Sequence, residues 1–260
     1  MDLGDVLSRG WTIFQSQMGM AILIIFVGGI INSGLQFAMN MAVNLVAVVT
    51  KEQAVAVAVP VILVPVQWAI QLWVMLGQFI VLLKIARGEE GVFTDMSAGA
   101  RFLISGLVAN FLFALLLIVI AAVCVGPAGL IYLVTEDEQA TLIAALIGGA
   151  IGLLVATPVA LMFSQSSLLV VDRDVGPLDA LQLSMTITSG NKLTLFLLML
   201  VFFALNIAGC AAFCIGMLFT QAYAMLTMCV AYLAMTGQPT GDRFLQPPPL
   251  AAAPPGPPLA

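Results

Sequence analysis

Apolar residues form long, nearly unbroken runs along this chain, separated by short polar stretches. Two of the runs, residues 102–135 and 140–171, contain no charged residue at all. Such runs exceed what the core of a soluble domain needs, whereas roughly 20 apolar residues are enough for an α-helix to cross about 30 Å of hydrocarbon. The pattern therefore predicts transmembrane segments.

The continuity of these runs favours helices over transmembrane strands. A membrane strand alternates apolar and polar residues over about ten positions, and that alternation is missing here. A helix satisfies all of its backbone hydrogen bonds internally, as lipid requires. We predict an all-α, polytopic integral membrane protein whose six transmembrane helices form three hairpins. The predicted spans cover residues 17–40, 61–83, 103–133, 140–170, 193–212 and 214–235.

A short polar segment with helical spacing precedes each predicted hairpin. In the first segment, Leu3, Val6, Leu7, Trp11 and Phe14 recur at the spacing of an amphipathic helix at a membrane surface. Residues 177–192 repeat this pattern, and residues 93–106 form a looser copy. We interpret the chain as three units of surface helix plus hairpin, at about 3–83, 92–171 and 177–236. The alternative is chance similarity between apolar segments.

The distribution of basic residues predicts the orientation in the membrane. Hydrophobic residues make up 62% of the chain, which has only 8 Lys and Arg. With six spans, all of them except Lys51 fall on the side that holds both termini. By the positive-inside rule this side is cytoplasmic, so we predict a multi-pass protein of the bacterial inner (cell) membrane with cytoplasmic N- and C-termini. The net charge of −5 says nothing about partners.

Two polar stripes run along the first two predicted spans. They consist of Ser33, Gln36, Asn40 and Asn44 on the first span and Gln67, Gln71 and Gln78 on the second. Amides in lipid are costly unless they are paired, so the stripes should face each other or a polar cavity. They either form interhelical hydrogen bonds or line a hydrophilic vestibule for a solute or a lipid headgroup.

Signatures of catalysis and of metal binding are missing from the sequence. The chain has no His, and its 4 Cys lie within predicted spans, where a thiol behaves as a small hydrophobe. We therefore predict no catalytic residues, no metal site, no cofactor, no enzyme activity and no nucleic-acid binding. The expected partners are the lipid bilayer and a membrane or cytoplasmic protein.

The last residues differ in composition from the rest of the chain. Residues 237–260 hold most of the 13 prolines, and proline-rich composition favours extended, solvated conformations over a packed core. We predict a disordered cytoplasmic tail after a helical membrane domain at residues 1–236.

Several short motifs give the chain a family resemblance. They comprise Trp11 and Phe14 near the start, Arg87, Gly88 and Glu89 in the central connection, and Ser184, Gly190, Asn191 and Gly216 in the last unit. In these residues the chain resembles the YciC-like bacterial polytopic membrane proteins. It is similar also to the membrane domain that precedes the catalytic domain in some glycerophosphoryl diester phosphodiesterases. That resemblance implies a membrane domain without the catalytic one.

The combined observations lead to two functional hypotheses. The first is a non-enzymatic integral membrane protein that acts as a scaffold, organises the membrane or supports a partner. The second is a small transporter or channel with an amide-lined path between the first two transmembrane helices.

Overall fold

The computed structural model describes residues 1–50, 53–135, 138–211 and 215–241 and is helical throughout these ranges apart from short turns and connections. The α-helices are α1 (Leu3–Ser16), α2 (Met18–Thr50), α3 (Gln53–Ala86), α4 (Leu103–Thr135), α5 (Glu138–Phe163), α6 (Ser166–Arg173), α7 (Pro177–Thr188), α8 (Lys192–Ala211) and α9 (Ile215–Met235), and a 3₁₀ helix occupies Phe93–Phe102.

Six helical segments of the described residues are long and apolar enough to cross a membrane, which confirms the predicted fold class. These segments are Met18–Val46, Leu63–Ala86, Phe93–Tyr132, Glu138–Arg173, Lys192–Ala211 and Gly216–Met235. Helices α2 and α3, α4 and α5, and α8 and α9 pack against each other as hairpins. Several segments extend beyond their predicted bounds, because hydrophobicity fades gradually where a helix leaves the hydrocarbon.

Each hairpin follows a short helix, as predicted: α1, the 3₁₀ helix and α7. These short helices are packed against the hairpins. Val6, Gly10, Ile13 and Phe14 are buried on α1, and Ala180, Ser184 and Thr188 are buried on α7. The spacing of three and four residues places each set on one face of its helix.

The second membrane segment of each hairpin is followed by a residue in the left-handed conformation; in the middle hairpin this segment comprises α5 and α6. A residue with positive φ follows α3, α6 and α9: Gly88 at 82°, Asp174 at 50° and Gly237 at 68°. After α3, the backbone N–H of Glu89 donates to the carbonyl of Lys84 at 2.9 Å, and after α9 that of Gln238 donates to Leu233 at 2.9 Å. At α3 and α9 this is the Schellman ending, in which a left-handed residue lets the chain turn back and satisfy the last carbonyls.

Most charged side chains of the described residues meet at the end of the bundle where these three helices stop. Lys84 pairs there with Asp95, Arg87 with Asp172, and Arg101 with Asp174. We call this end, which also carries Arg9 and Arg173, the basic face. Five of the seven basic residues predicted to share a side, Arg9, Lys84, Arg87, Arg101 and Arg173, thus lie at the same end of the bundle. Lys51, the basic residue predicted on the opposite side, lies outside the described residues.

The hydrophobic core is concentrated near the basic face. Its buried side chains include Val81, Leu82, Leu83, Ile85 and Ala86 of α3, Leu168 to Val170 of α6 and Cys229 to Leu233 of α9. The distant parts of α4 and α5 have little protein around them, and Val134 and Leu154 are 83% and 75% exposed. The molecule is therefore tightly packed at one end and presents apolar helix faces to its surroundings at the other.

Candidate functional site

A buried polar network lies at the centre of the basic face. The carboxylate of Asp172, whose side chain is 5% exposed, pairs with Arg87. Tyr232 Oη donates to Asp172 Oδ2 at 2.7 Å, and Gln238 Nε2 donates to the same oxygen at 2.9 Å. Arg87 Nη2 also donates to Gln238 Oε1 at 2.7 Å. Both carboxylate oxygens thus have donors, as a buried charge requires.

The members of this network come from all three hairpin units. Arg87 follows α3, Asp172 lies on α6, and Tyr232 and Gln238 lie on or just after α9. Removing one partner of a buried ion pair leaves the other charge uncompensated and so destabilises the fold. The network therefore links the relative positions of the three hairpins.

The segment after α9 is part of this arrangement. Thr240 is 2% exposed, and the backbone N–H of Gly241 donates to the carbonyl of Ala86 at 2.8 Å. Arg9 Nη1 approaches Thr240 Oγ1 at 3.5 Å. The first residues of the predicted tail, 237–241, thus pack on the helices, and residues 242–260 lie outside the described residues.

Helix α1 is held to α9 by an aromatic cluster. Phe14 is 0% exposed, and its ring meets those of Phe219 and Tyr223 at centroid distances of 6.3 and 5.8 Å. Trp11, which is 48% exposed, contacts Tyr223 edge-on at 5.7 Å. Tyr223 Oη also donates to the carbonyl of Leu7 at 3.0 Å. The two aromatic residues predicted at the interface therefore differ, with Phe14 in the core and Trp11 at the surface.

Only some residues of the two predicted polar stripes in the first hairpin form hydrogen bonds between the helices. Gln67 Nε2 donates to Gln36 Oε1, which joins α3 to α2. Gln78 is 7% exposed and donates to the carbonyl of Ile24 at 3.2 Å. Both contacts are interhelical hydrogen bonds, one of the two roles that the sequence left open.

A cleft of about 520 Å³ lies along the rest of the two stripes. Its lining consists of Asn32, Ser33, Gln36, Phe37, Asn40 and Gln71. Asn44 is exposed further along α2 and does not line it. Asn32 was not part of the predicted stripe, although it lies four residues before Gln36 and so fits the same helical spacing as Asn40 and Asn44.

The remaining residues of the family resemblance have separate local roles. The carbonyl of Glu89 accepts a bond of 3.0 Å from Gln17 Nε2. Ser184 Oγ donates at 2.7 Å to the carbonyl of Met162, where the helix is interrupted between α5 and α6. Asn191 Oδ1 accepts from the Met1 amino group at 3.0 Å. Gly216 packs against Gly209 across the last hairpin, and Gly190 is exposed.

The described residues contain no group of three or more His, Cys, Asp or Glu side chains that could hold a metal ion. Cys124, Cys210 and Cys229 are free thiols on separate parts of the bundle, and Cys214 lies outside the described residues. Among the described residues, we consider two polar sites further: the network at the basic face and the cleft between α2 and α3.

Comparison with known proteins gives a family assignment. No curated protein matches the chain, and no solved structure matches it. The resemblance to YciC-like proteins and to the phosphodiesterase membrane domain stays a prediction. The model of one family, described as a domain of unknown function (DUF7847), matches residues 1–252, and the chain belongs to that family.

Proposed function

We propose that this protein is a non-enzymatic membrane component that acts as a scaffold: it holds three helical hairpins in a fixed arrangement and so supports a partner or organises the surrounding membrane. The observation that carries this proposal is the network around Asp172, which takes one or more groups from each hairpin unit. In the orientation predicted from the basic residues, the network lies at the cytoplasmic side of a bacterial-type cell membrane.

The distribution of exposed apolar surface supports the same proposal. Ile118 and Leu130 of α4 and Leu154 of α5 are 63%, 65% and 75% exposed. These side chains lie on α4 and α5, which away from the basic face pack mainly against each other. A fixed base with exposed apolar helices is suited to contacts with lipid or with the helices of another membrane protein.

The cleft between α2 and α3 supports a second candidate function, the transport of a small solute. Its polar lining within a candidate membrane span is the observation that favours it. Against a continuous path, Gln78 fills the space between the helices on the side towards the basic face. A Cβ atom added at Gly28 would lie 2.0 Å from Gln78 Nε2.

Flux measurements separate these two functions. We expect liposomes that contain the purified protein to take up glycerol, glucose and potassium no faster than protein-free liposomes. A Gln78→Ala variant, which removes the side chain between α2 and α3, serves as the matched comparison. Saturable uptake by the wild type would contradict the scaffold proposal and favour transport.

Site-specific photocrosslinking in native membranes tests the scaffold itself. We expect a photoreactive residue at Leu154 to give one discrete protein adduct or defined lipid adducts, because this position faces outwards. The same residue at Leu161, which is 4% exposed on the same helix, should react only within the chain. Identical adducts from both positions would mean that the bundle is not fixed.

A further inference from the structure

The cleft between α2 and α3 contains a hydrogen-bond acceptor without a donor. Asn32 Oδ1 is buried and has no hydrogen-bond partner among the described residues. A buried carbonyl oxygen without a partner is unfavourable, and such exceptions in a folded protein call for a specific explanation. Because Asn32 lines the cleft, a group bound there could supply the missing donor.

The lining defines the chemistry of such a group. Asn32, Asn40 and Gln71 offer amide groups, each of which can both donate and accept, and Ser33 adds a hydroxyl. None of the lining residues carries a charge, so an ion would be desolvated there without a counter-charge. A hydroxyl-rich neutral group both donates and accepts, and it therefore matches this set.

The size and shape of the cleft fit a bound group better than a continuous path. Its volume of about 520 Å³ falls within the roughly 300–1,000 Å³ typical of small-molecule sites. At 1.5 Å per residue, Asn32 lies about 21 Å along α2 from Met18. Between Asn32 and the basic face, Gln78 bonds to the carbonyl of Ile24 at 3.2 Å and closes the space between the helices. The cleft is thus closed at its end towards the basic face.

We propose that this cleft binds a neutral, hydroxyl-rich group, a sugar or polyol, with Asn32 Oδ1 accepting a hydrogen bond from one of its hydroxyls. The group could be a free solute or the headgroup of a glycolipid, since both present the same chemistry. The site uses the residues of the second candidate function but requires no flux, so binding without uptake would remove transport and leave this site intact.

Four proteins in phosphatidylcholine nanodiscs test the proposal: the wild type, Asn32→Leu, Ser33→Ala and Asn110→Leu. The last is the matched control, because Asn110 is also partly buried but donates to the carbonyl of Gly106 in its own helix, at 3.1 Å. In one arm, glucose is titrated and the shift in thermal unfolding is measured. In the other, part of the phosphatidylcholine is replaced by monoglucosyl diacylglycerol, and the glycolipid retained on the protein is counted by native mass spectrometry.

We expect the wild type and Asn110→Leu to bind in at least one arm. Asn32→Leu should weaken that binding about tenfold, the effect of losing one to two hydrogen bonds, and Ser33→Ala should weaken it less. Binding only in the glycolipid arm identifies a headgroup, and binding in the glucose arm identifies a free solute.

Three outcomes would overturn the proposal. The first is that the wild type binds in neither arm, and the second is that the wild type, Asn32→Leu and Ser33→Ala bind equally well. The third is that neither probe binds and the wild type self-associates in a way that Asn32→Leu abolishes. The last result would assign the cleft to a second copy of the chain. If Asn32→Leu fails to fold, the milder Ser33→Ala change decides.

Discussion

Two aspartates only two residues apart show how strongly burial changes the role of one side chain. Asp172 is 5% exposed and has donors from Arg87, Tyr232 and Gln238. Asp174 is 59% exposed and pairs with Arg101, which is 72% exposed. Solvent screens the second pair, and such surface ion pairs contribute between about 0 and 1 kcal/mol.

The change Asp172→Asn should therefore destabilise the protein far more than Asp174→Asn. The first leaves Arg87 without its counter-charge inside the network and should lower the free energy of unfolding by about 1.5–3 kcal/mol. The second should cost about 0–1 kcal/mol, and Asn tolerates the left-handed backbone at that position. Thermal unfolding of both variants in the same detergent measures the difference. Equal effects would show that the network does not join the hairpins.

Close helix packing at Gly10 offers a second test at this scale. A Cβ atom added there would lie 2.5 Å from Thr227 Oγ1, whereas nothing lies within 4 Å of a Cβ added at Gly19. Glycine to alanine in an open helix position should stabilise by about 0.5–1 kcal/mol. We expect Gly19→Ala to raise the unfolding temperature and Gly10→Ala to lower it.

The double variant Gly10→Ala with Thr227→Ala checks the cause, because it removes the side chain that the new methyl group meets. Gly10→Ala should therefore lower the unfolding temperature less in the Thr227→Ala protein than it does in the wild type. No recovery would mean that Gly10 acts through the backbone of α1 and not through its contact with α9.

At the scale of elements, the ends of α3, α6 and α9 matter more than their lengths. Each is followed by a residue with positive φ, and Arg87, Asp172 and Gln238 lie within two residues of those turns. The common ending thus brings groups from three separate helices together. The same turn after α9 directs residues 238–241 onto the core.

Two truncations separate the packed part of the C-terminal segment from the rest. Removing residues 237–260 deletes Gln238 and Gly241, with their bonds to Asp172 and Ala86, and should lower the unfolding temperature and the folded yield. Removing only residues 242–260 should change neither, because the proline-rich composition buries little apolar area. Size-exclusion yield and thermal unfolding give the comparison. An equal loss from the shorter truncation would show that the proline-rich part also docks.

For the whole molecule, the main feature is the contrast between its two ends. The core and the ion pairs described above lie at the basic face, while the far parts of α4 and α5 are largely exposed. Cooperative stability should therefore come from the basic end. If the protein acts as the proposed scaffold, we expect lipid or a partner to cover the apolar faces of the exposed helices.

The predicted orientation can be tested on the intact chain. Reporter proteins inserted in the connection at residues 89–92 or fused after Ala260 should read as cytoplasmic, and one inserted at residues 136–138 should read as external. Adding two lysines at 136–138 should weaken this preference, whereas adding two glutamates should not, since acidic residues contribute little to orientation. An external C-terminus would mean that one of the six segments does not cross the membrane.

The amino-acid sequence by itself determined the class of this protein and the order of its elements. Uncharged runs such as 102–135 allow only a helical membrane segment. The count of spans also predicts that all basic residues except Lys51 share one side, whatever the helix packing. Local spacing also located the three short helices. These properties depend on hydrophobicity and on neighbouring residues, which can be read directly along a chain.

Only the tertiary structure decided which polar residues meet. The sequence placed Asp172 in a connection between spans and Gln238 in the C-terminal tail. Their shared hydrogen-bond network forms only because the three hairpins pack together. Asn32 was not part of the predicted polar stripe, yet it lines the cleft. Gln78 was part of the stripe, but it fills the space between α2 and α3 on the side of the cleft towards the basic face. Sequence spacing fixes the face of one helix, but the rotation and approach of its neighbours depend on side-chain packing across the whole molecule.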